Sequence, residues 1–307
     1  MSVSQDGQMS DEKKDSVYRA FSPRRIGAIT AITFTGLIRQ KAFYVVLIFA
    51  LILIGNSIFM ARLSFQQEFQ MLKDISLGAI SIFTSLLAIV ATARLLSQDI
   101  EDRTVYTILA KPVPRFEYLT GKLAGVLLLL ALSTLVMSVM FFAVLFLREQ
   151  TLLNETLRQM AGAPREQIAE ISRTLRGSAF SSNLLSGIVI IYLKACLLAA
   201  LTLFVSTFAS SNLFTIVVMA FVYFIGHLQA TAREYWLQTS SGGWMTNTFL
   251  AFVAFFFPDL QLFNLVDDIV VGTAIPLALF NKTVLLGGSY TAIYLLLACA
   301  VFYGKEL

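Results

Sequence analysis

The sequence predicts an all-α, polytopic membrane protein: a bundle of six transmembrane helices, an amphipathic interfacial helix near the N-terminus, and a short cytoplasmic helix between spans two and three. Three observations carry this expectation. Of 307 residues, 57% are hydrophobic and 14% charged, with a mean hydropathy of +0.75. An ordinary soluble domain is about 45–50% apolar and about 25% charged. The apolar residues also cluster in runs that suit a hydrocarbon core of about 30 Å, which takes about 20 helical residues to cross. Those runs are continuous, whereas a transmembrane β-barrel would alternate over segments of about ten residues.

Composition excludes further classes. Cys196 and Cys299 both lie inside apolar runs, so they form no disulfide framework, and with the single histidine, His227, they make a poor metal set. The net charge of +4 is small and the basic residues are dispersed, so nucleic acid is not an expected partner. On a membrane protein such an excess reports orientation.

Residues 1–23 read as a polar, disordered tail, and residues 24–307 as one six-span domain. The first long apolar run begins near Ala42 without a cleavage pattern, so no secretory signal peptide is expected. Between Arg24 and Lys41, apolar Ile26, Ile29, Ile32, Phe34 and Leu37 are bracketed by Arg24, Arg25, Arg39 and Lys41, which suits a helix lying on the cytoplasmic leaflet. The spans are expected at Ala42–Met60, Leu77–Leu96, Leu119–Leu147, Leu184–Phe208, Leu213–Leu228 and Val284–Tyr303. The third is longer than a bilayer needs and should tilt or project. Within 246–266, the stretch Phe249–Phe257 ends at Pro258 and is too short to span, so it reads as re-entrant or interfacial. With the N-terminus inside, Lys and Arg in the short loops collect on the cytoplasmic side, which places both termini there.

Two hydrophilic segments interrupt the spans. Ser97–Tyr118 is cytoplasmic on this topology. The external loop, 148–183, carries two helical stretches broken at Gly162–Pro164, with Ile168, Ile171 and Leu175 on one helical face.

Catalytic and metal motifs are missing. Neither Gly121–Lys122 nor Gly304–Lys305 belongs to a G-x-x-x-x-G-K-[ST] loop, so this chain is not expected to hydrolyse ATP. No H-E-x-x-H occurs, and nothing in the spacing of His227 from Ser240 and Ser241 asks for hydrolase chemistry. His227 reads as packed or wetted at the interface. Lys194, near mid-depth in span four, costs about 2.5–3.5 kcal/mol to insert unless it faces protein or water or snorkels. It is either a pathway residue favouring anionic or polar cargo, or a hydrogen-bond donor to a neighbouring helix. Gly121 and Gly125 form a G-x-x-x-G that lets another backbone approach closely.

The loop "SQDIEDRTVYTILAKPVPRFEYLTGKLAG", Ser97 to Gly125, is the most informative segment. Acidic Asp99, Glu101 and Asp102 suit the positive N-terminal end of a short helix. Ile100, Thr104 and Ile108 share one face, and Pro112 and Pro114 end it. A short amphipathic helix held between two spans is suited to a groove in a cytosolic partner.

This loop resembles that of the membrane subunits of type-2, export-class ATP-binding-cassette (ABC) transporters. Glu101, Thr104, Leu109, Lys111, Pro112, Arg115, Gly121 and Lys122 stand at the matching places, while Arg103 occupies a position where many members have Gly. The basic amphipathic helix, the six spans, the turn "STFASSN" and "FPDLQLFNLVD" before the last span extend the likeness over the whole chain. The resemblance implies a permease that pairs with a second permease, identical or related, in the bilayer and couples to two cytosolic ABC ATPase subunits. ATP and Mg would bind those subunits, and this chain would hold no cofactor. Asp99, Ile100, Glu101, Asp102, Arg103, Thr104 and Ile108 would then form the docking coupling helix. A gradient-driven secondary transporter or channel, and a non-transporting scaffold, are the rival readings; the first would need an intramembrane relay for which Lys194 is almost the sole ionisable candidate.

Overall fold

The computed structural model describes residues 22–61, 68–101, 114–159, 167–170, 173, 177, 179–180, 183–209, 211–238, 258–264, 269–270 and 276–304, with backbone alone at 61, 96–101 and 230–238. Among these residues the fold is all-α. The main helices are α1 (Pro23–Ile38), α2 (Lys41–Ala61), α3 (Glu68–Glu101), α4 (Arg115–Gln159), α5 (Asn183–Phe208), α6 (Asn212–Gln238) and α7 (Leu277–Tyr303), with a 3₁₀ turn at Leu260–Phe263 between α6 and α7. Helices α2 to α7 are each long and apolar enough to cross a membrane, and each expected span falls within one of them.

Local sequence explains the boundaries. Proline at the first position of α1 forfeits an amide that helix geometry leaves orphaned anyway. Arg39 and Gln40 make the tight corner into α2, where the Phe43 amide donates to the Gln40 carbonyl (3.1 Å). Thr33 and Leu37 of α1 are buried while Ile32 is 75% exposed, the two-sided character expected of an interfacial helix.

Helix α5 sits at the centre and packs against α3, α4, α6 and α7. Its interior residues Ile190, Ala195, Leu197, Leu198, Ala199 and Ala200 join a cluster with Leu123, Val126, Tyr294 and Phe302. A second cluster along the bundle gathers Ile54, Leu77, Ile80, Phe141, Leu145 and Ile191. The 3₁₀ turn is inserted among the helices. Leu260 and Pro258 lie against Gly226 of α6, and Phe263 lies against Gly287 of α7. Leu260 and Phe263 are consequently almost fully buried. The stretch Phe249–Phe257 lies outside the described residues.

Two boundaries differ from expectation for one physical reason. Residues 148–159 continue α4 as a single helix of 45 residues. At 1.5 Å per residue this measures about 68 Å, more than twice a hydrocarbon core. Residues 97–101 likewise continue α3. Neither stretch contains Gly or Pro, so the chain stays helical after its apolar run ends. Asp99 and Glu101 therefore lie at the far end of a 34-residue helix, and the N-terminal dipole argument for their charge does not apply to them.

Candidate functional site

The loop between α3 and α4 is framed by two helix ends of different construction. Helix α3 delivers Asp99, Ile100 and Glu101 as the continuation of a membrane span. Asp102, Arg103, Thr104, Ile108, Leu109, Lys111 and Pro112 lie outside the described residues. The returning end, the first turns of α4, is attached at three points to two neighbours, α1 and α7.

The first attachment is to α1. Glu117 is 1% exposed and accepts from Arg25 through Nε (2.8 Å) and Nη2 (3.0 Å), and from the Ser22 amide (2.9 Å). This two-pronged arginine–carboxylate arrangement fixes orientation as well as charge. Its hydrogen bonds to Glu117 also push the Arg25 pKa up.

The second attachment lies one turn further along α4. A Cβ on Gly121 would stand 2.8 Å from Ile29 Cβ, and one on Gly125 would stand 2.7 Å from Thr33 Cβ. The two glycines thus let α1 approach at backbone distance, and Thr30 Oγ1 reaches the Gly121 carbonyl at 3.2 Å. The G-x-x-x-G pair therefore packs the chain's own interfacial helix.

The third attachment is to α7. Arg115 Nη1 donates to the carbonyls of Phe302 (2.8 Å) and Tyr303 (2.7 Å), groups that a helix C-terminus leaves without intrahelical donors. A cation at that end also complements the helix dipole. The guanidinium lies 5.8 Å from the Phe302 ring centre, and Tyr118 stacks on the same ring at 6.2 Å. Lys122, the last matching position, places its ammonium 5.6 Å from the Tyr118 ring. The first turns of α4 thus hold the start of α1, the end of α7 and the loop exit in one unit.

Lys194 lies elsewhere, 2% exposed in α5, and donates to Ser81 Oγ of α3. The neighbouring Tyr192 hydroxyl reaches the Leu127 carbonyl of α4 at 3.2 Å. The ammonium therefore faces a neighbouring helix. His227 is satisfied within its own helix, Nδ1 lying 2.9 Å from the Tyr223 carbonyl. Among the described residues, no group of His, Cys, Asp and Glu is arranged to hold a metal.

Sequence reasoning found Arg115, Gly121 and Lys122 but missed Glu117, Arg25 and Thr30 as one constellation. Arg25 and Glu117 are 92 residues apart, and no spacing rule joins them. The available signal was the coincidence of the glycine pair with a β-branched face, Ile29 and Thr33, on the preceding amphipathic helix.

Residues 28–307 match the family model described as ABC-2 family transporter protein. No curated protein matches the chain at a significant level. Six membrane-crossing helices, the framed loop and a match over nearly the whole sequence lead to one conclusion: the chain belongs to the ABC-2 transporter family and is a multi-pass permease subunit of an ABC transporter.

Proposed function

We propose that this chain is the permease of an ATP-driven exporter, which docks two cytosolic ATPase subunits through the loop after α3 and pairs with a second permease to enclose the path. The observation that carries this reading is the fusion of the loop's exit to α1 and α7 through Glu117, Arg115 and the glycine pair. A push delivered to the loop would move the first turns of α4 and carry the start of α1 and the end of α7 with them. A loop with a purely connecting role would not need three attachments at its exit.

On this reading the loop and both termini face the cytoplasm, and the protein resides in the inner membrane. The docking element is Asp99–Tyr106, with Ile100 and Ile108 as apolar contacts and Glu101 and Arg103 as polar ones. Helix α1 shares the interface, because one short helix buries little area. ATP hydrolysis occurs on the partner subunits, in keeping with the missing phosphate-binding loop.

The test is a detergent pull-down of the tagged chain with ATPase activity assayed in the eluate, comparing wild type with Glu101→Ala plus Ile108→Asp. A co-purifying ATPase that is lost from the variant supports the proposal. ATPase retained by the variant moves the interface elsewhere. A well-folded wild type that brings down no ATPase overturns the exporter reading.

A further inference from the structure

Helices α4 and α5 enclose a groove of about 380 Å³ on the outside of the bundle, within the range of about 300–1,000 Å³ usual for ligand sites. Its walls are apolar almost throughout, with Leu135 and Val139 of α4 and Leu185 and Val189 of α5 among them. Three side chains lining it carry a hydroxyl: Tyr192, which donates to the Leu127 carbonyl, Thr134 and Ser138. Thr134 is 4% exposed and Ser138 is 6% exposed, and neither hydroxyl has a hydrogen-bond partner among the described residues. In hydrocarbon no water can satisfy such a group, and leaving it bare is costly. Each is a single staggered χ1 rotation away from a new direction, and both residues already line the groove.

We propose that this groove holds one ester-linked membrane lipid, with an acyl chain along the apolar walls and an ester carbonyl accepting from Thr134 or Ser138. Depth fits that occupant. The α5 wall is confined to the first ten residues of the helix, 183–192, about 14 Å at 1.5 Å per residue. With the start of α5 taken as one membrane surface, as the expected span from Leu184 has it, the groove falls within one leaflet and opens toward the level of the ester groups. A helix of a second copy fits less well, because close helix packing in membranes uses small residues, whereas Leu135, Val139 and Leu185 stand 62%, 62% and 65% exposed at the rim. Ester carbonyls offer acceptors alone, matching two hydroxyls whose protons are uncommitted.

The experiment uses the full chain, delipidated in detergent and titrated under native mass spectrometry with palmitoyl-oleoyl phosphatidylglycerol or its dialkyl-ether counterpart. Headgroup and chains are unchanged between the two probes, and only the carbonyls are lost. The expected result is one lipid per chain bound about tenfold more tightly as ester than as ether, with the preference abolished in Thr134→Val plus Ser138→Ala. Equal binding of ester and ether by wild type overturns the proposal, as does an ester preference that survives in the double variant. A Val139→Cys variant supplies a check independent of those substitutions. It should form no disulfide between copies on mild oxidation, and an efficient one would give the groove to a second permease and overturn the lipid assignment.

Discussion

Two arginine–glutamate pairs anchor α4 near its two ends, and they are built in opposite senses. At the loop end the carboxylate is the buried partner: the Glu117 side chain is 1% exposed and Arg25 is 29% exposed. Toward the other end the arginine is buried, Arg148 at 5% against Glu68 at 25%. Arg148 donates to Glu68 Oε2 through Nε (3.0 Å) and through Nη2, while its Nη1 has no partner among the described residues. The difference matters because the two buried groups have different ways out. A stranded glutamate can take up a proton and become neutral, whereas a stranded arginine stays charged. The pair beside the loop can therefore tolerate disturbance, and the pair joining α3 to α4 cannot.

Breaking the second pair should cost most. Glu68→Ala strands the Arg148 cation and is expected to destabilise the protein by about 3 kcal/mol, read as the midpoint of SDS-induced unfolding. Arg148→Met, which removes the buried charge as well, should recover much of that loss. A Glu68→Ala midpoint equal to wild type would show that Arg148 does not depend on Glu68.

Next in size is the glycine contact. Gly121→Ala with Gly125→Ala forces side chains into space held by Ile29 and Thr33, an overpacking of about 1–3 kcal/mol. Helix α1 should lift from α4, so a cysteine at position 33 should change from protected to readily alkylated by a membrane-permeant maleimide. Continued protection would mean that the glycines are dispensable to the contact.

Arg25→Met should cost less than Glu68→Ala, since Glu117 keeps the Ser22 amide and can neutralise itself. In the charge-swapped protein, Arg25→Glu with Glu117→Arg, stability should fall further than in Arg25→Met, because the swap buries an arginine where a carboxylate sat. Equal midpoints for the two variants would remove the distinction between the ends of α4.

The smallest effect is expected at Lys194. Lys194→Met removes a buried ammonium and its bond to Ser81, and stability should change by no more than about 1 kcal/mol. ATPase activity of the co-purified complex should also hold. Loss of that activity without loss of fold would return Lys194 to the transport pathway.

Hydropathy made the spans legible because insertion in hydrocarbon constrains every residue of a 20-residue window. It could not show which spans are central. Helices α5 and α7 are both strongly apolar, yet 72% of the apolar window of α5 is buried against 17% for α7. Lipid and protein interior select the same residue types, so burial in a bilayer leaves little trace in composition. Helix ends were also hard to read, since residues 97–101 and 148–159 carry no breaker residue and remain helical. The glycine pair signalled a close approach, but its partner became identifiable only once α1 was seen lying on α4. The clamp around Glu117 had no sequence signature, because a contact between two charges far apart in the chain has no local pattern.

The most direct test of the permease reading is site-specific photo-crosslinking in the native membrane, with a benzophenone side chain placed at Ile108 and, separately, at Gln159 on the far extension of α4. The expected result is a crosslink from position 108 to a cytosolic P-loop ATPase and none from position 159. An ATPase crosslink at 159, or none at 108 in a complex that hydrolyses ATP, would contradict docking through the loop between α3 and α4.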